Sequence, residues 1–269
     1  MCEGLSPQAL LYNNGRMNYT ERTYRSAMGG TGLVPLEIHY RETDLWIGMD
    51  RSASEGLDRR ELTHLVLGRV RTCWHEIGWC IARCRDFLSS YVPIKDIPGS
   101  PTLCTAMLEA SRRAGTGPMA AVAGAVADAV GRELSHVLGA RELIVENGGD
   151  IYVQTTQGVI CRVFAGASPL SGQVRIHIPK EVSPVGVCTS SATVGPSKSF
   201  GRADAVTVVA ADAAFADAAA TAWANRVKSQ DDIAPVIEAM KDQREIIAGV
   251  IILGDRLGFF GDIPISFGP

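Results

Sequence analysis

The sequence has little of what usually betrays a function. Its net charge is only −3 over 269 residues, which gives no electrostatic case for nucleic acid or an anionic membrane as partner. No apolar stretch approaches the roughly 20 residues that cross a bilayer, and the run Gly249–Gly254 falls far short. The opening MCEGLSPQALLYNNGR has no basic region followed by an apolar core, so no signal peptide is expected. The seven cysteines are odd in number and include no C-x-x-C pair. A chain this long needs no disulfide staples, so free thiols, a reducing compartment and a cytoplasmic location are expected. A phosphate-binding Gly-Lys-Ser/Thr ending is also missing.

What is there is globular. Hydrophobic residues make up 46% and charged residues 20%, enough to build a real core. Cys73, Cys80 and Cys84 fall in one predicted helix at spacings of seven and four, with His75 nearby. Zinc or an iron–sulfur cluster is one reading; buried thiols on a packed face are the commoner one.

In chain order, residues 1–18 read as a flexible leader around the turn signal Asn13-Asn14-Gly15, and Tyr19–Tyr24 as a first strand. Arg22, Tyr24 and Arg25 would suit an anion, or simply snorkel at the surface. Leu33–Tyr40 and Thr43–Met49 alternate as a hairpin turning at Arg41-Glu42. Ser54–Leu88 carries a helical period through Leu62, Leu65, Val66, Arg69, Val70, Cys73, Ile77, Cys80 and Ile81. Prolines 93, 98 and 101 make the next stretch a loop. Thr102–Ala114 is a helix stopped by Gly115, and Pro118–Leu138 another. Glu142–Glu146 and Ile151–Gln154 flank a turn, followed by strands near 159–165 and 174–178. Ala205–Ala210 is a strand, Ala213–Val227 an alanine-rich helix, Ile233–Lys241 an amphipathic helix and Ile246–Leu253 a buried strand. Residues 256–269 read as a tail rich in glycine and proline. Strands and helices come in runs, so the class is α+β, with residues 19–255 as its domain. Alanine faces and strand edges make a homodimer reasonable.

Three places hold candidate chemistry. Gly117, before Pro118, belongs to a glycine-rich turn feeding a helix N-terminus, a seat for phosphate. Asn147, Gly148, Gly149 and Asp150 form a tight-turn sequence whose bare backbone a ligand can approach; a turn and nothing more explains it equally well. Thr189, Ser190 and Ser191 precede the alanine-rich helix, where Asp217 and Thr221 stand four apart on one face. Short oxygen ligands one turn apart suit a hard cation with a phosphate. By spacing alone, a helix packed through its alanines with Asp217 in water is the commoner outcome.

Taken together, GTGPMAAVAGAVAD, VENGGDIYV, GVCTSSATVGPSKSFGRADAVTVVA and ADAAATAWANRV, in that order, resemble the ApbE-like superfamily, above all its compact single-domain branch. TERTYR and RETDLWIG are similar to that branch too. The resemblance implies two intertwined, tunnelling-type sub-domains with antiparallel sheets and packed helices. The characterised ApbE proteins are FAD:protein FMN transferases, which use magnesium to cleave FAD and attach FMN to a threonine of a protein. The resemblance therefore implies Mg2+ and FAD as cofactors, a flavin nucleotide as small-molecule partner and a protein as acceptor. It puts Asn147, Gly148, Gly149 and Asp150 near the nucleotide, with Thr189, Ser190 and Ser191 lining the pocket. Asp217 and Thr221 become the metal ligands, joined by a backbone carbonyl near Met119–Ala121.

Two departures bear on chemistry. The transferases carry a histidine after their Thr-Ser-Gly segment, where this chain reads GPSKSFGRADA, and a lysine where it has Val122-Ala123-Gly124. Lys198 and Arg202 would contact an anion instead, or form an ordinary basic loop. No catalytic residue is assigned. The alternatives are FMN transfer or FAD hydrolysis, non-catalytic binding of a flavin or phosphorylated ligand, and an accessory role in sulfur assimilation at homocysteine formation.

Overall fold

The computed structural model describes Arg25, residues 32–192 and residues 200–268. The expected leader, the strand at 19–24 and Lys198 lie outside the described residues.

Strands β1 (Leu33–Tyr40) and β2 (Thr43–Asp50) form the expected hairpin, with Arg41 in the left-handed region at φ 54. Helix α1 (Arg59–Arg83) is shorter than the period suggested. Its start is fixed by the Asp58 side chain, which accepts from Arg60 and Glu61 N–H while Glu61 caps the Asp58 N–H. Leu62, Val66, Val70, Cys73, Ile77 and Cys80 make its buried stripe. Cys84 lies just past its end in extended backbone, so the three thiols do not share the helix. A separate one-turn helix, α2 (Asp86–Ser89), follows at the end of the expected helical stretch. Helix α3 (Thr102–Ala114) ends at Gly115, φ 75.

The expected helix from Pro118 begins instead as a 3-10 turn, Pro118–Ala121, and becomes α4 (Val122–Leu138) only afterwards. Strands β3 (Leu143–Asn147) and β4 (Asp150–Gln154) then close a two-residue hairpin. Gly148 and Gly149 both have positive φ, 73 and 102, as that turn requires. Next come β5 (Val159–Arg162), β6 (Val174–Ile178), β7 (Val185–Ser190) and β8 (Ala205–Ala210). Helix α5 (Ala213–Ala224) stops three residues short of the expected Val227. Helix α6 (Ile233–Lys241) and β9 (Ile246–Leu253) match expectation.

The tail expectation is corrected: β10 (Arg256–Gly261) pairs with β9, and β11 (Ile265–Phe267) pairs with β6. Leu257 packs on the small-sheet side of β10 and Phe260 on the helix side, apolar contacts that glycine and proline content obscured.

Among the described residues, eight strands form one sheet in the order β1-β2-β3-β4-β7-β8-β9-β10, each antiparallel to its neighbours. A second sheet has the order β11-β6-β5. The helices cover the front of the large sheet, where Leu45, Val145, Cys188, Val206 and Ile251 join the helix core. The small sheet covers the back, where Val153, Val187, Val209 and Ile252 meet Val174, Ile176 and Ile178. Strand alternation sorts these two sets, one residue in two to each face. Each fully buried aliphatic side chain contributes about 1.5–3 kcal/mol.

Candidate functional site

Helix α5 is short-ranged by composition. Ala213, Ala214, Ala216, Ala218, Ala219, Ala220 and Ala224 are all buried, so neighbouring backbones come close. One of them is α4: a Cβ on Gly124 would stand 2.1 Å from the Ala213 carbonyl oxygen and 2.9 Å from Asp217 Cβ. The room left by the alanines is thus filled first by another helix.

That approach brings Asp217 to the start of α4. The Gly124 N–H donates to Asp217 Oδ2 at 3.0 Å, and the Ala123 N–H donates to the same carboxylate. A carboxylate at a helix N-terminus gains about 0.3–1 kcal/mol from the unpaired N–H groups and their dipoles. Burial nevertheless dominates and pushes Asp217 up to about 7, the two N–H groups only partly offsetting it.

Asp150, 9% exposed, comes to the same place from the double-glycine turn. It pairs with Cys188 across β4 and β7, so both side chains face α5. Burial and then the Asp217 charge push Asp150 well above the carboxylate range, while the Cys188 thiol and the Thr189 N–H counteract. Burial also drives the Cys188 thiol up, and its Sγ donates to the Ala213 carbonyl at 3.3 Å. Asn147 ties the turn to α4 by donating from Nδ2 to the Ala123 carbonyl at 3.1 Å. Four remote segments therefore meet: 123–124, 147–150, 188–189 and 217.

The other sequence candidates are placed as follows. Thr189 joins through its main chain. Its hydroxyl lies 2.8 Å from that of Thr207 on the back of the sheet, because odd and even residues of β7 face opposite ways. Ser190, 9% exposed, shares the front face with Cys188, and Ser191 is buried just beyond. Thr221 lies one helical turn beyond Asp217 and is half-buried. Arg202 is exposed, its N–H bonded to the Val227 carbonyl. Gly117 is explained by packing: it is buried, and a Cβ there would stand 1.7 Å from the Ser90 carbonyl oxygen. Since α4 starts five residues later, the helix end that Gly117 was expected to open is at Val122–Gly124, where Asp217 accepts two of its N–H groups.

Sequence reasoning missed two contributors. Asp128, one turn along α4 from Gly124, accepts from the Ala214 N–H at 3.0 Å and is pushed to about 6, by burial above all. With Asp212, which accepts from the Phe215 N–H at 2.7 Å, it caps α5. The other is Arg25, expected as a surface or anion-binding arginine. It is buried, with Nη1 2.7 Å from Asp44 Oδ1 and Nε 2.7 Å from Glu146 Oε2. Only the interleaving Asp58–Glu61 type of local spacing is visible in a sequence; contacts 121 residues apart leave no such mark.

No group of three or more His, Cys, Asp or Glu side chains suited to a metal occurs among the described residues. Asp150 and Asp217 come together at the start of α4, and each carboxyl is pushed up from its ordinary range. Mg2+ asks few protein ligands, because it keeps water and shares phosphate oxygens. The paired carboxylates of Asp150 and Asp217 fit that demand, and Thr221 follows one turn further along α5. Two surface depressions lie elsewhere, one of about 450 Å³ lined by Arg113, Trp223 and Arg226, the other of about 140 Å³ lined by Val34, Leu36 and Leu62.

A family model described as AbpE bacteria matches residues 25–247, which include every residue of this constellation. The chain belongs to that ApbE-like family. A relative from Methanothermobacter thermautotrophicus, named UPF0280 protein, is 38% identical over 243 residues, covering 86% of this chain and 93% of the relative. Another UPF0280 protein, from Methanocella arvoryzae, is 40% identical over 189 residues, covering 70% of this chain and 76% of its own. The fold is also similar to the crystal structure of the ApbE protein from Thermotoga maritima, with a TM-score of 0.54 at 14% identity over 84% of this chain and 96% of that one. The ApbE-like α+β architecture expected from the motifs is thus the one present. No helix among the described residues is long and apolar enough to cross a membrane.

Proposed function

We propose that this ApbE-like chain binds the phosphates of a flavin nucleotide together with Mg2+ against the Asp217 face of α5, and that FAD hydrolysis or FMN transfer is its reaction class. One observation carries the reading: the Asp217 charge adds to burial in raising the cost of ionising Asp150, and backbone N–H groups of Gly124 and Thr189 attend the two carboxylates. Two such carboxylates call for a cation. When bound, Mg2+ supplies charge neutralisation and polarises the phosphate oxygens it shares. The chain's own residues then have distinct tasks. Asp217, Asp150 and Thr221 hold the cation. The Gly148–Gly149 backbone, with no side chains, lets a phosphate-bearing ligand lie close. Asn147 keeps that turn docked on α4.

Binding without transfer is the second reading, and a specific observation favours it. No histidine lies on α5, β4, β7 or the first turn of α4; the described histidines are on β1, α1, α4 near its end, and β6. A histidine for the leaving or attacking oxygen is therefore not at hand among the described residues, and the raised carboxyls of the site are the ones assigned to the cation. The test incubates the purified chain with FAD and Mg2+ and measures both bound flavin and released AMP and FMN. Product that disappears in Asp217→Ala supports the first reading. Flavin bound without product supports the second. Neither binding nor product sinks both.

A further inference from the structure

The double-glycine turn is gripped from both faces of the sheet, and the grip on the back starts outside the sheet altogether. On the front, Asn147 holds Ala123. On the back, Glu146 Oε1 accepts from the Gly149 N–H at 2.8 Å, across the turn itself. Glu146 has 0% exposure. A carboxylate so buried needs a compensating charge, and Arg25 provides it: Nε lies 2.7 Å and Nη2 2.6 Å from Glu146 Oε2. The guanidinium is fixed in turn by Asp44, through Nη1 to Oδ1 at 2.7 Å and Nη2 to the main-chain carbonyl at 2.8 Å. Asp44 stands on β2 and Glu146 on β3, adjacent strands of the large sheet. The planar fork of arginine can satisfy both partners at once, which the single ammonium of lysine cannot do with the same geometry.

From this chain of contacts we infer that Arg25 is a positioning residue for the Asn147–Asp150 turn: with Asp44 it sets the Glu146 carboxylate, and Glu146 sets the Gly149 amide that carries Asp150 toward Asp217. Two consequences separate this from ordinary support of the fold. Loss of Arg25 loosens the turn selectively. It also reaches ligand binding without touching the ligand, a consequence that rests on the proposed flavin-nucleotide site.

The test compares wild type with Arg25→Ala, Arg25→Lys and Asp44→Asn by residue-resolved amide hydrogen exchange under native conditions, followed by FAD titration with Mg2+. Asp44→Asn keeps Arg25 in place on Glu146 and serves if Arg25→Ala does not fold. The expected result is exchange at the Gly149 amide at least tenfold faster in Arg25→Ala, with smaller rises in Arg25→Lys and Asp44→Asn, while amides of α5 and β8 keep their wild-type protection. A uniform rise across all elements, or an unchanged Gly149 amide in the folded variants, overturns the inference. If wild type binds no FAD but the Gly149 effect is present, the flavin reading fails and the positioning role stands. If wild type binds FAD and the loosened variants bind it equally well, the link from the turn to the ligand is overturned.

Discussion

The Asp217 carboxylate accepts the Gly124 N–H at 3.0 Å, from a position 93 residues later in the chain. This one bond locks α5 onto the first turn of α4 and decides which way the carboxylate points. The carboxylate is part-buried there, beside Asp150 of the double-glycine turn.

The closeness of the two helices can be tested directly. In Gly124→Ala the new methyl would meet the Ala213 carbonyl oxygen at 2.1 Å, with backbone on both sides. Alanine favours helix by at most about 1 kcal/mol over glycine, and overpacking against backbone exceeds that. The expected net loss is about 1–3 kcal/mol in chemical denaturation. An unchanged or increased midpoint would mean the helices stand further apart than described.

Asp128 gives a pH signature. Its carboxyl moves from 3.8 to about 6 in the fold, chiefly through burial. A group raised in this way contributes stability that is whole below 3.8 and is lost as pH climbs through about 6. Asp128→Asn keeps an oxygen for the Ala214 N–H and removes the titration. The variant should therefore gain on wild type between pH 4.5 and pH 8, by on the order of 1–3 kcal/mol. Parallel stability-against-pH curves for the two proteins would refute the assignment.

Asp217→Asn separates the metal from the fold. Asparagine still accepts from Gly124, and the cost of a buried charge is gone, so the variant should melt at or above the wild-type temperature at pH 8. Magnesium at 100 times its dissociation constant should stabilise wild type by about 2.7 kcal/mol and leave the variant unmoved. Equal stabilisation of both would put the cation somewhere else.

The C-terminal strands should prove indispensable. Truncation after Gly254 removes β10, the edge partner of β9, and β11, the edge partner of β6, together with buried Ile263. Each buried aliphatic side chain lost or uncovered costs roughly 1.5–3 kcal/mol. The truncated chain should show little cooperative unfolding by circular dichroism; a normal melt would return residues 256–269 to the status of a tail.

The elements were legible where the information is local. The alternation of Leu33–Tyr40, the period of α1, the Asn-Gly-Gly-Asp turn and the stop at Gly115 all follow from residues within a turn or two of each other. So did the candidate residues: Asp217 and Asp150 are short acidic side chains beside alanine and glycine, and that composition is written in the chain. Local content also misled. Gly117 looked like a phosphate seat, yet it is glycine because the Ser90 carbonyl lies against it. Thr189 was expected to line the pocket, and the parity of β7 turns its hydroxyl to Thr207.

By itself, then, the sequence determined which segments are strand or helix, where backbone lies bare and which short oxygen-bearing side chains are available, because steric preference and hydrophobic period act between near neighbours. Tertiary structure alone decided that Asp217 lies part-buried beside Asp150, that Arg25 is buried against Glu146, and that the last strands close both sheets. Those outcomes depend on charges and surfaces that meet across tens to more than a hundred positions, where the partner of a residue is chosen by packing and desolvation and nothing in its own neighbourhood names it.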